Sequence, residues 1–262
     1  MKLTEKPVKH LVISSSYGND SVAMIQWVYE NKPEFDKVSV VYIDTGWAAE
    51  WWPKRVEVME NMVRKYGFNP VRIKGPETFE SLAIARKGFP RHGMQFCTIF
   101  LKGIPFLDWL DEQPKEEEII IGVGKRREES VARRETEEYV YNSEYHGFRT
   151  LWHPLYLHSE SERNALLERA GVAPLKHRSL ECSPCINANR ADIKALTEDE
   201  VVRVEALESV VGKTMFRPAG KMGAKGIRQV VVWANSKHGN SKKGAFLNTT
   251  DSSGCEGGLC GL

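Results

Sequence analysis

The segment Ser14–Ser21, with the sequence SSSYGNDS, lies between two apolar stretches. The stretch before it, His10–Ile13 (HLVI), predicts a buried strand, and the apolar spacing of Val22–Val28 (VAMIQWV) predicts a helix that packs on this strand. A turn of small polar residues between a strand and a helix directs backbone N–H groups towards an anion, and the positive end of the helix dipole adds to the attraction. The segment therefore predicts a binding loop for phosphate or sulfate.

Individual residues of this loop suit an anion, although each also has a simpler structural role. Gly18 lets the backbone come close to a ligand, and the hydroxyl groups of Ser16 and Ser21 are hydrogen-bond donors. Asn19 or Asp20 is equally a normal residue for the N-cap of the following helix. Taken alone, the loop leaves anion binding and simple helix capping open.

Ser16–Ser21 (SYGNDS) resembles the SGGxDS pyrophosphate loop of the PP-loop ATP pyrophosphatases. The longer run SSSYG is similar to the loop of phosphoadenylyl-sulfate (PAPS) reductases, a sister branch of that superfamily. Tyr17 stands where the ATP pyrophosphatases have a glycine, so the loop leaves the branch open, and it is not a Walker loop because no Gly-Lys-Ser/Thr follows. The resemblance implies that the phosphate or sulfate end of an adenine nucleotide binds at Ser14, Ser15, Ser16, Tyr17, Gly18, Asn19, Asp20 and Ser21.

Two further motifs follow predicted strands and agree with this resemblance. Val38–Ile43 is the second predicted strand and ends in Asp44-Thr45-Gly46, which matches the DTG motif of the family and implies contact with adenine or ribose. Glu118–Gly124 is the fourth predicted strand, and Gly124–Ser130 (GKRREES) at its end looks like the GxRxxES-type motif of the PAPS reductases. A solvated charged face is the simpler interpretation. The resemblance implies phosphate or phosphosulfate contacts from Gly124, Arg126, Arg127 and Ser130.

Cysteine residues in two distant segments predict a metal or cluster site. Cys182 and Cys185 form a CxxC turn, a spacing that chelates a metal or a cluster but also occurs in redox-active pairs. Cys97 belongs to a stretch similar to the Cys…Leu-Lys…Pro element of the family, with Lys102 as its lysine, although a single cysteine indicates only a small buried residue. The three cysteines lie in the same order as the cluster ligands of adenylyl-sulfate reductases and of DNA-phosphorothioation sulfurtransferases. Cys182–Ile193 (CSPCINANRADI) is especially similar to the second group.

The resemblance implies a 4Fe-4S cluster with Cys97, Cys182 and Cys185 as three of its ligands. It leaves the fourth position to Cys255, to Cys260 or to an iron that is open to sulfur. Zinc is the alternative, since thiolates bind both metals.

The end of the chain carries a second possible role for a thiol. Cys260-Gly261-Leu262 resembles the ECG-type tail that supplies the nucleophilic thiol in sulfate-reducing relatives. Leu259 replaces the expected Glu, and no His follows. An inert tail with incidental thiols is the simpler interpretation.

The composition of the 262-residue chain restricts the class of protein. The formal net charge is only +2, and five cysteines occur without a secretion signal, which favours a cytoplasmic protein with metal or redox chemistry over a disulfide framework. No stretch is long and apolar enough to span a bilayer, so we expect no membrane contact. Arg86–Gly93 is a long irregular loop of the kind that often forms a lid.

The region Ser209–Thr250 contains no Asp or Glu. Trp233, His238 and Phe246 are interleaved with its basic residues, which predicts either a solvated basic face or a contact surface for nucleic acid. Gln229–Trp233 within it predicts a late strand. The basic residues are Lys213, Arg217, Lys221, Lys225, Arg228, Lys237, Lys242 and Lys243.

Together these features predict an α/β fold with a doubly wound parallel sheet and a ligand at the carboxyl ends of its strands. The resemblance implies that this fold is of the adenine nucleotide alpha-hydrolase type. We expect a nucleotide-binding domain over residues 1–208, which includes the CxxC segment, and a basic C-terminal extension with a cysteine-containing tail over residues 209–262.

The leading functional hypothesis is ATP-dependent adenylation and thiolation of a nucleic acid, as in DNA phosphorothioation or tRNA thiolation. It requires ATP with Mg²⁺, the iron–sulfur cluster, and a sulfur donor such as a cysteine desulfurase or a thioredoxin-like reductant. Its expected catalytic residues are Asp20, Lys102, Arg126 and Arg127. One alternative is reductive cleavage of PAPS or adenylyl sulfate to sulfite with Cys260 as the catalytic nucleophile, and another is a non-enzymatic, redox-sensitive subunit that binds nucleic acid.

Overall fold

A six-stranded sheet with helices on both faces forms the centre of the protein. The computed structural model describes residues 8–91, 93–115, 117–216 and 225–236. The strands are β1 (Val8–Ser14), β2 (Lys37–Asp44), β3 (Asn69–Lys74), β4 (Glu117–Val123), β5 (Tyr139–Ser143) and β6 (Arg149–Trp152). The α-helices are α1 (Asn19–Asn31), α2 (Trp52–Lys65), α3 (Phe79–Ala85), α4 (Phe96–Thr98), α5 (Ile104–Asp111), α6 (Glu160–Arg169), α7 (Arg190–Lys194), α8 (Glu198–Val211) and α9 (Ile227–Asn235), and a π-helical turn (Ile99–Gly103) joins α4 to α5.

The strand order is β3-β2-β1-β4-β6-β5, and every neighbouring pair is parallel except β5 and β6. The chain passes from β1 outwards to β2 and β3, and then returns to the other side of β1 with β4. The carboxyl ends of β1 and β4 are therefore adjacent, with Ser14 opposite Val123, where doubly wound sheets bind their ligands. The predicted doubly wound α/β sheet is confirmed.

Successive side chains of each strand point to opposite faces of the sheet, so two apolar layers form. Leu11 and Ile13 of β1 pack in a cluster with residues of α1, α2 and α6, whereas Val12 packs with Phe106 and Leu110 of α5 on the opposite face. Because both faces of the sheet are covered, its central strands are continuous apolar runs. This rigid double layer holds the loops at the carboxyl edge.

A third apolar cluster lies beside the sheet and contains the CxxC segment, α8 and α9. The predicted strand at Gln229–Trp233 is wrong, because these residues belong to helix α9. Its buried residues are Ile227, Val230, Trp233 and Ala234, and their spacings of three and four place them on one helical face.

Residue 208 lies inside α8, and α9 packs on α7 and α8. The division of the chain into residues 1–208 and 209–262 stays a prediction.

No helix within the described ranges is both long and apolar enough to cross a membrane.

Candidate functional site

A cavity of about 530 Å³ lies at the carboxyl ends of β1 and β4. The β1–α1 loop, the loop after β4, the α4 segment and the CxxC segment surround it. The residues predicted from the sequence that line this cavity are Ser16, Gly18, Asn19, Asp20, Ser21, Thr45, Cys97, Lys102, Gly124, Arg126, Cys182 and Cys185. The predicted residues that do not line it are Ser14, Ser15, Tyr17, Asp44, Gly46, Arg127 and Ser130. Cys255 and Cys260 lie outside the described residues.

The side chain of Tyr17 points into the core and not into the cavity. Its backbone φ is 55°, its ring is fully buried, and the ring stacks on Tyr42 with 5.7 Å between centroids. The backbone N–H of Tyr17 donates to the hydroxyl of Ser15 at 3.1 Å. The expected ligand contact is therefore not available to the Tyr17 side chain, because the aromatic ring fills the core beneath the loop.

The three serines before Tyr17 differ in whether they reach the cavity. Ser14 and Ser15 are both buried, and the backbone N–H of Ser15 donates to the carbonyl of Val41 at 2.9 Å, which continues the pairing of β1 with β2. Ser16 lies at the cavity surface, where its hydroxyl accepts the N–H of Gly18 at 3.3 Å. Of the three serines, only Ser16 therefore offers a hydroxyl to a ligand.

The segment around residues 175–179 packs against the loop and fixes its position. The amide group of Asn19 donates to the carbonyl of Leu175 and accepts its N–H, both at 2.9 Å. A Cβ atom at Gly18 would lie 2.9 Å from the Cβ of Ser179, which is closer than real Cβ contacts. Asn19 is therefore a structural anchor, and glycine at position 18 is required by this close approach.

Asp20, at the start of α1, contacts two arginines. Its Oδ1 accepts a hydrogen bond from Arg126 Nε at 2.5 Å and lies 3.8 Å from Arg163 Nη1. Arg126 is buried and also donates to the carbonyl of His158 at 3.3 Å. A Cβ at Gly124 would lie 2.7 Å from the carbonyl oxygen of Asp20, so the loop after β4 packs directly on the start of α1. The two predicted loops form one unit, in which the first N–H groups of α1 have no acceptor within the helix.

Arg127 and Ser130 turn away from the cavity, contrary to expectation. Arg126 has extended backbone angles (φ −128°, ψ 142°), and successive side chains of extended backbone point in opposite directions. Arg127 donates to the carbonyl of Thr136 at 2.7 Å, and its guanidinium lies 5.2 Å from the ring centroid of Tyr156. Ser130 is buried, and its Oγ has no partner in the described part of the chain. Arg127 therefore supports the loop after β4 and does not contact a ligand in the cavity.

Within the DTG motif, only the middle residue faces the cavity. The carboxylate of Asp44 accepts the N–H of Gly46 at 2.9 Å and closes the turn after β2. Neither residue lines the cavity, and their contacts with adenine or ribose stay a prediction. The hydroxyl of Thr45 donates to the carbonyl of Glu181 at 2.9 Å and lies 3.2 Å from Cys182 Sγ. The motif therefore connects the end of β2 to the CxxC segment.

The cavity lining has a positive charge balance, which suits a ligand with several phosphate or sulfate groups. Its acidic side chains are Asp20, Glu129 and Glu181. Its basic side chains are Lys102, Lys125, Arg126, Arg133, Arg163 and Arg178.

Lys102 and Glu181 form a buried ion pair with 3.0 Å between Nζ and Oε1. Burial opposes the charge on both groups. The ammonium of Lys102 nevertheless holds the pKa of Glu181 below its usual range, and Glu181 with the nearby thiols raises the pKa of Lys102 above its usual value. The second oxygen of Glu181, Oε2, is buried and has no partner among the described residues. The positive charge of Lys102, which was expected to act in catalysis, is therefore already paired with the carboxylate of Glu181. One oxygen of that carboxylate has no partner among the described residues.

The thiol groups of Cys97, Cys182 and Cys185 line the same cavity and belong to one apolar cluster. Burial raises the pKa of Cys97 to about 11 and that of Cys182 to about 12, so a bound metal must displace protons from these thiols. In the described ranges, no three His, Cys, Asp or Glu side chains are arranged to hold a single metal ion.

Trp47 fixes the CxxC segment at the exit of β2. It forms a parallel bridge with Cys182, its carbonyl accepts the N–H of Ser183 at 2.7 Å, and its indole N–H donates to the carbonyl of Pro184 at 3.1 Å. The guanidinium of Arg203 in α8 lies 3.9 Å from the Trp47 ring centroid and donates to the carbonyl of Ser183. The position of the two cysteines therefore depends on both the sheet and α8.

Several residues of the cavity were not predicted from the sequence. Glu181 directly precedes Cys182, so its proximity to the thiols was a signal that could have been used. Arg178 lies just before the same segment and donates to the carbonyl of Asn187 at 3.0 Å. Arg163 lies in α6 and has no sequence signal, because a single arginine on a helix is normally a solvated residue.

The chain was compared with known proteins. No curated protein matches it. Similar solved structures include phosphoadenylyl-sulfate (PAPS) reductase from Candida auris in complex with phosphate, at 15% identity and a TM-score of 0.42, with 63% of this chain and 74% of that chain covered. They also include the U34-tRNA thiolase NcsA from Methanococcus maripaludis with its 4Fe-4S cluster, at 15% identity and a TM-score of 0.48, with 96% of this chain and 79% of that chain covered.

The model of one protein family covers most of the chain. It matches residues 10–209, a range that contains the β1–α1 loop, the loop after β4 and all three described cysteines. The chain belongs to the phosphoadenosine phosphosulfate reductase domain family.

Proposed function

We propose that this protein binds ATP at the carboxyl edge of its sheet, adenylates a nucleic acid and transfers sulfur to it beside an iron–sulfur cluster. One observation carries the proposal: Cys97, Cys182 and Cys185, from two distant parts of the chain, line the same cavity as the Ser16–Ser21 loop. A nucleotide in this cavity is therefore a neighbour of the thiols.

The chain offers two kinds of positive group to the phosphates. The first N–H groups of α1 and the hydroxyl of Ser16 face the cavity from one side. The basic side chains of Lys125, Arg133 and Arg163 line the same cavity. As an acceptor oxygen bonds to the α-phosphorus and pyrophosphate leaves, these groups stabilise the charge that accumulates on the departing oxygen atoms.

Asp20 acts in this scheme as a positioning residue. Its contacts with Arg126 and Arg163 hold both guanidinium groups at the start of α1, where the phosphates would bind. ATP is expected to enter with its Mg²⁺.

Cys97, Cys182 and Cys185 are the residues that would hold the cluster. When bound, the cluster supplies iron that can carry sulfide next to the activated acceptor. Glu181 Oε2 and Asn187 Oδ1, both buried without a partner among the described residues, would then face a polar ligand in the same cavity. The fourth ligand, from Cys255, Cys260 or an open iron, and the sulfur donor stay predictions.

Reductive cleavage of PAPS or adenylyl sulfate is the second candidate. The family match and the excess of basic residues in the cavity favour it, because both substrates are multiply charged adenine nucleotides. In this case Cys260 would attack the sulfur atom of the substrate and release the nucleotide.

The cluster is tested by anaerobic purification with iron and sulfide analysis. We expect a brown protein with about four irons per chain, and Cys182→Ser should lose iron and colour. Ser183→Ala is the matched control, since it changes the same turn but leaves the thiols and the Ser183 N–H in place. A colourless zinc protein would overturn the cluster assignment.

The reaction is tested by two product assays on the loaded protein. Pyrophosphate release from ATP that depends on nucleic acid supports adenylation, and its absence with every polynucleotide tested counts against it. Sulfite release from PAPS or adenylyl sulfate with a thiol donor, abolished by Cys260→Ser, supports the second candidate. Nucleic-acid binding without either product would indicate the non-enzymatic alternative.

A further inference from the structure

A basic and aromatic surface lies next to the cavity. Residues 81–107 contain no Asp or Glu, and this stretch includes the irregular loop after α3, α4 and the π-helical turn. We define the basic–aromatic surface as the exposed side chains of Arg86, Lys87, Arg91, Phe100 and Lys213. Four of its five members are cations.

The cations of this surface are not neutralised within the described part of the protein. None of the four forms an ion pair with a described residue. Arg228, by contrast, pairs with Glu198 and Glu205 at 2.8 Å each, although its own stretch of sequence lacks acidic residues. The positive charge of the basic–aromatic surface is therefore less compensated by nearby carboxylates than that of Arg228 on α9.

Aromatic rings, not a carboxylate, hold the guanidinium of Arg86. It lies 4.5 Å from the ring centroid of Phe100 and 5.2 Å from that of Phe96. Stacking of this kind fixes the plane of the group and leaves its N–H donors for an external acceptor such as a phosphate. Lys213 comes from the end of α8 to the same place, with its Nζ 3.7 Å from the position that a Cβ of Gly88 would occupy.

Apolar side chains of the same acid-free stretch are also exposed. Phe100 is 36% exposed, Ile99 49% and Met94 58%. Exposed rings with nearby cations are the combination that binds unpaired bases and their backbone, because bases stack on the rings while phosphates meet the cations. Cys97 and Thr98, from the helical turn just before Ile99, line the cavity.

We propose that the basic–aromatic surface binds a single-stranded segment of nucleic acid and leads it to the cavity mouth at Cys97 and Thr98. The identity of this segment as the acceptor of sulfur rests on the function proposed above. The binding itself does not, because it requires neither ATP nor a cluster.

Binding is tested by fluorescence anisotropy with a labelled single strand of about 12 nucleotides, within the site sizes of such surfaces. If all four cations contact phosphates, the logarithm of the association constant should fall with the logarithm of salt concentration with a slope of about −3. Lys87→Gln with Arg91→Gln should weaken binding at least about tenfold at 0.1 M salt and reduce the slope to about −1.4. Phe100→Ala should weaken binding at least about fivefold without changing the slope.

The matched control is Lys54→Gln with Lys65→Gln on α2, which removes the same charge from two exposed positions elsewhere. An equal loss of binding in this control would show that only net charge matters and would overturn the proposal. So would the absence of wild-type binding, or equal affinity for a duplex of the same sequence. Thermal unfolding of each variant verifies that the fold is retained.

Failure of the surface and failure of the proposed function give different results. Single-strand binding that depends on Lys87 and Arg91, without pyrophosphate release, keeps the surface and rejects adenylation. Nucleic-acid-dependent pyrophosphate release that is unchanged in the Lys87 and Arg91 variant keeps adenylation and rejects the surface.

Discussion

Gly124→Ala tests whether the loop after β4 and the start of α1 form one binding unit. The new Cβ would lie 2.7 Å from the carbonyl oxygen of Asp20 and 3.1 Å from the backbone nitrogen of Ser21. Both neighbours are backbone atoms, so the contact is relieved only when one of the two loops moves by several tenths of an ångström. That movement displaces Asp20 from its 2.5 Å contact with Arg126 and shifts the N–H groups that face the cavity.

The size of the effect follows from these contacts. Overpacking of a well-packed position costs about 1–3 kcal/mol of the free energy of unfolding. One charge-assisted hydrogen bond from these N–H groups to a phosphate, when it is lost or misaligned, costs about 1.5–3 kcal/mol of binding free energy. This corresponds to at least about tenfold weaker nucleotide binding. We therefore expect Gly124→Ala to lose both stability and affinity.

Gly122→Ala is the matched control on the same strand. Its Cβ would meet the Met24 methyl group at 2.2 Å and Leu11 Cδ1 at 3.3 Å, which are side-chain atoms beneath the sheet and not part of the loop. Urea unfolding should show a loss of stability in both variants, whereas calorimetric titration with ATP and with PAPS should show weaker binding only in Gly124→Ala. Unchanged affinity in Gly124→Ala, or an equal loss in Gly122→Ala, would refute the reasoning.

Three further predictions concern stability. Lys102→Met should cost about 3–5 kcal/mol because it leaves the buried carboxylate of Glu181 without its partner, and a second change, Glu181→Leu, should restore much of this loss in denaturant unfolding. Asn19→Ala removes two hydrogen bonds to Leu175 and should cost about 1–3 kcal/mol, with Asn19→Asp retaining the bond from the Leu175 N–H as a partial rescue. Burial lowers the pKa of His146 from 6.5 to about 4, so its neutral form contributes stability above pH 6.5 that is lost as the pH falls towards 4. Between pH 7 and pH 5 this group should lower the free energy of unfolding by about 2 kcal/mol. In His146→Asn the fall over the same range should be smaller by that amount, and an unchanged pH dependence would contradict the prediction.

The fold was predictable because its signals are local and ordered. Strand, small-residue turn and helix follow each other at Ser14–Ser21, and a second strand with a charged turn follows at Gly124. In a parallel sheet these turns must meet at one edge, so the position of the site follows from the topology. The shared cavity of Cys97 and the CxxC pair was also anticipated, from a resemblance and not from spacing.

The remaining features depend on the direction of single side chains, which a motif does not specify. Arg126 and Arg127 are neighbours in one motif, yet the extended backbone sends one to Asp20 and the other to Thr136. Tyr17 occupies a loop position but its ring is buried against Tyr42. Burial of this ring depends on packing between distant elements, so the local sequence does not reveal it.

Local preference was also misleading at α9. The run of β-branched residues Val230–Val232 favours a strand, but packing against α7 and α8 selects the helix. Tertiary packing outweighs such a preference when the apolar residues also have helical spacing.

The attachment of the CxxC segment to Trp47 and Arg203 has a consequence for the biogenesis of the protein. On the ribosome, the β1–α1 loop and Cys97 emerge long before α8, which holds the other two cysteines in place. A nascent chain can thus complete β1 to β4 while its thiols are still apart. Under the function proposed above, machinery that delivers iron would act only after translation has passed α8, so metal loading would be a late step and the thiols of unloaded chains would be open to oxidation until then.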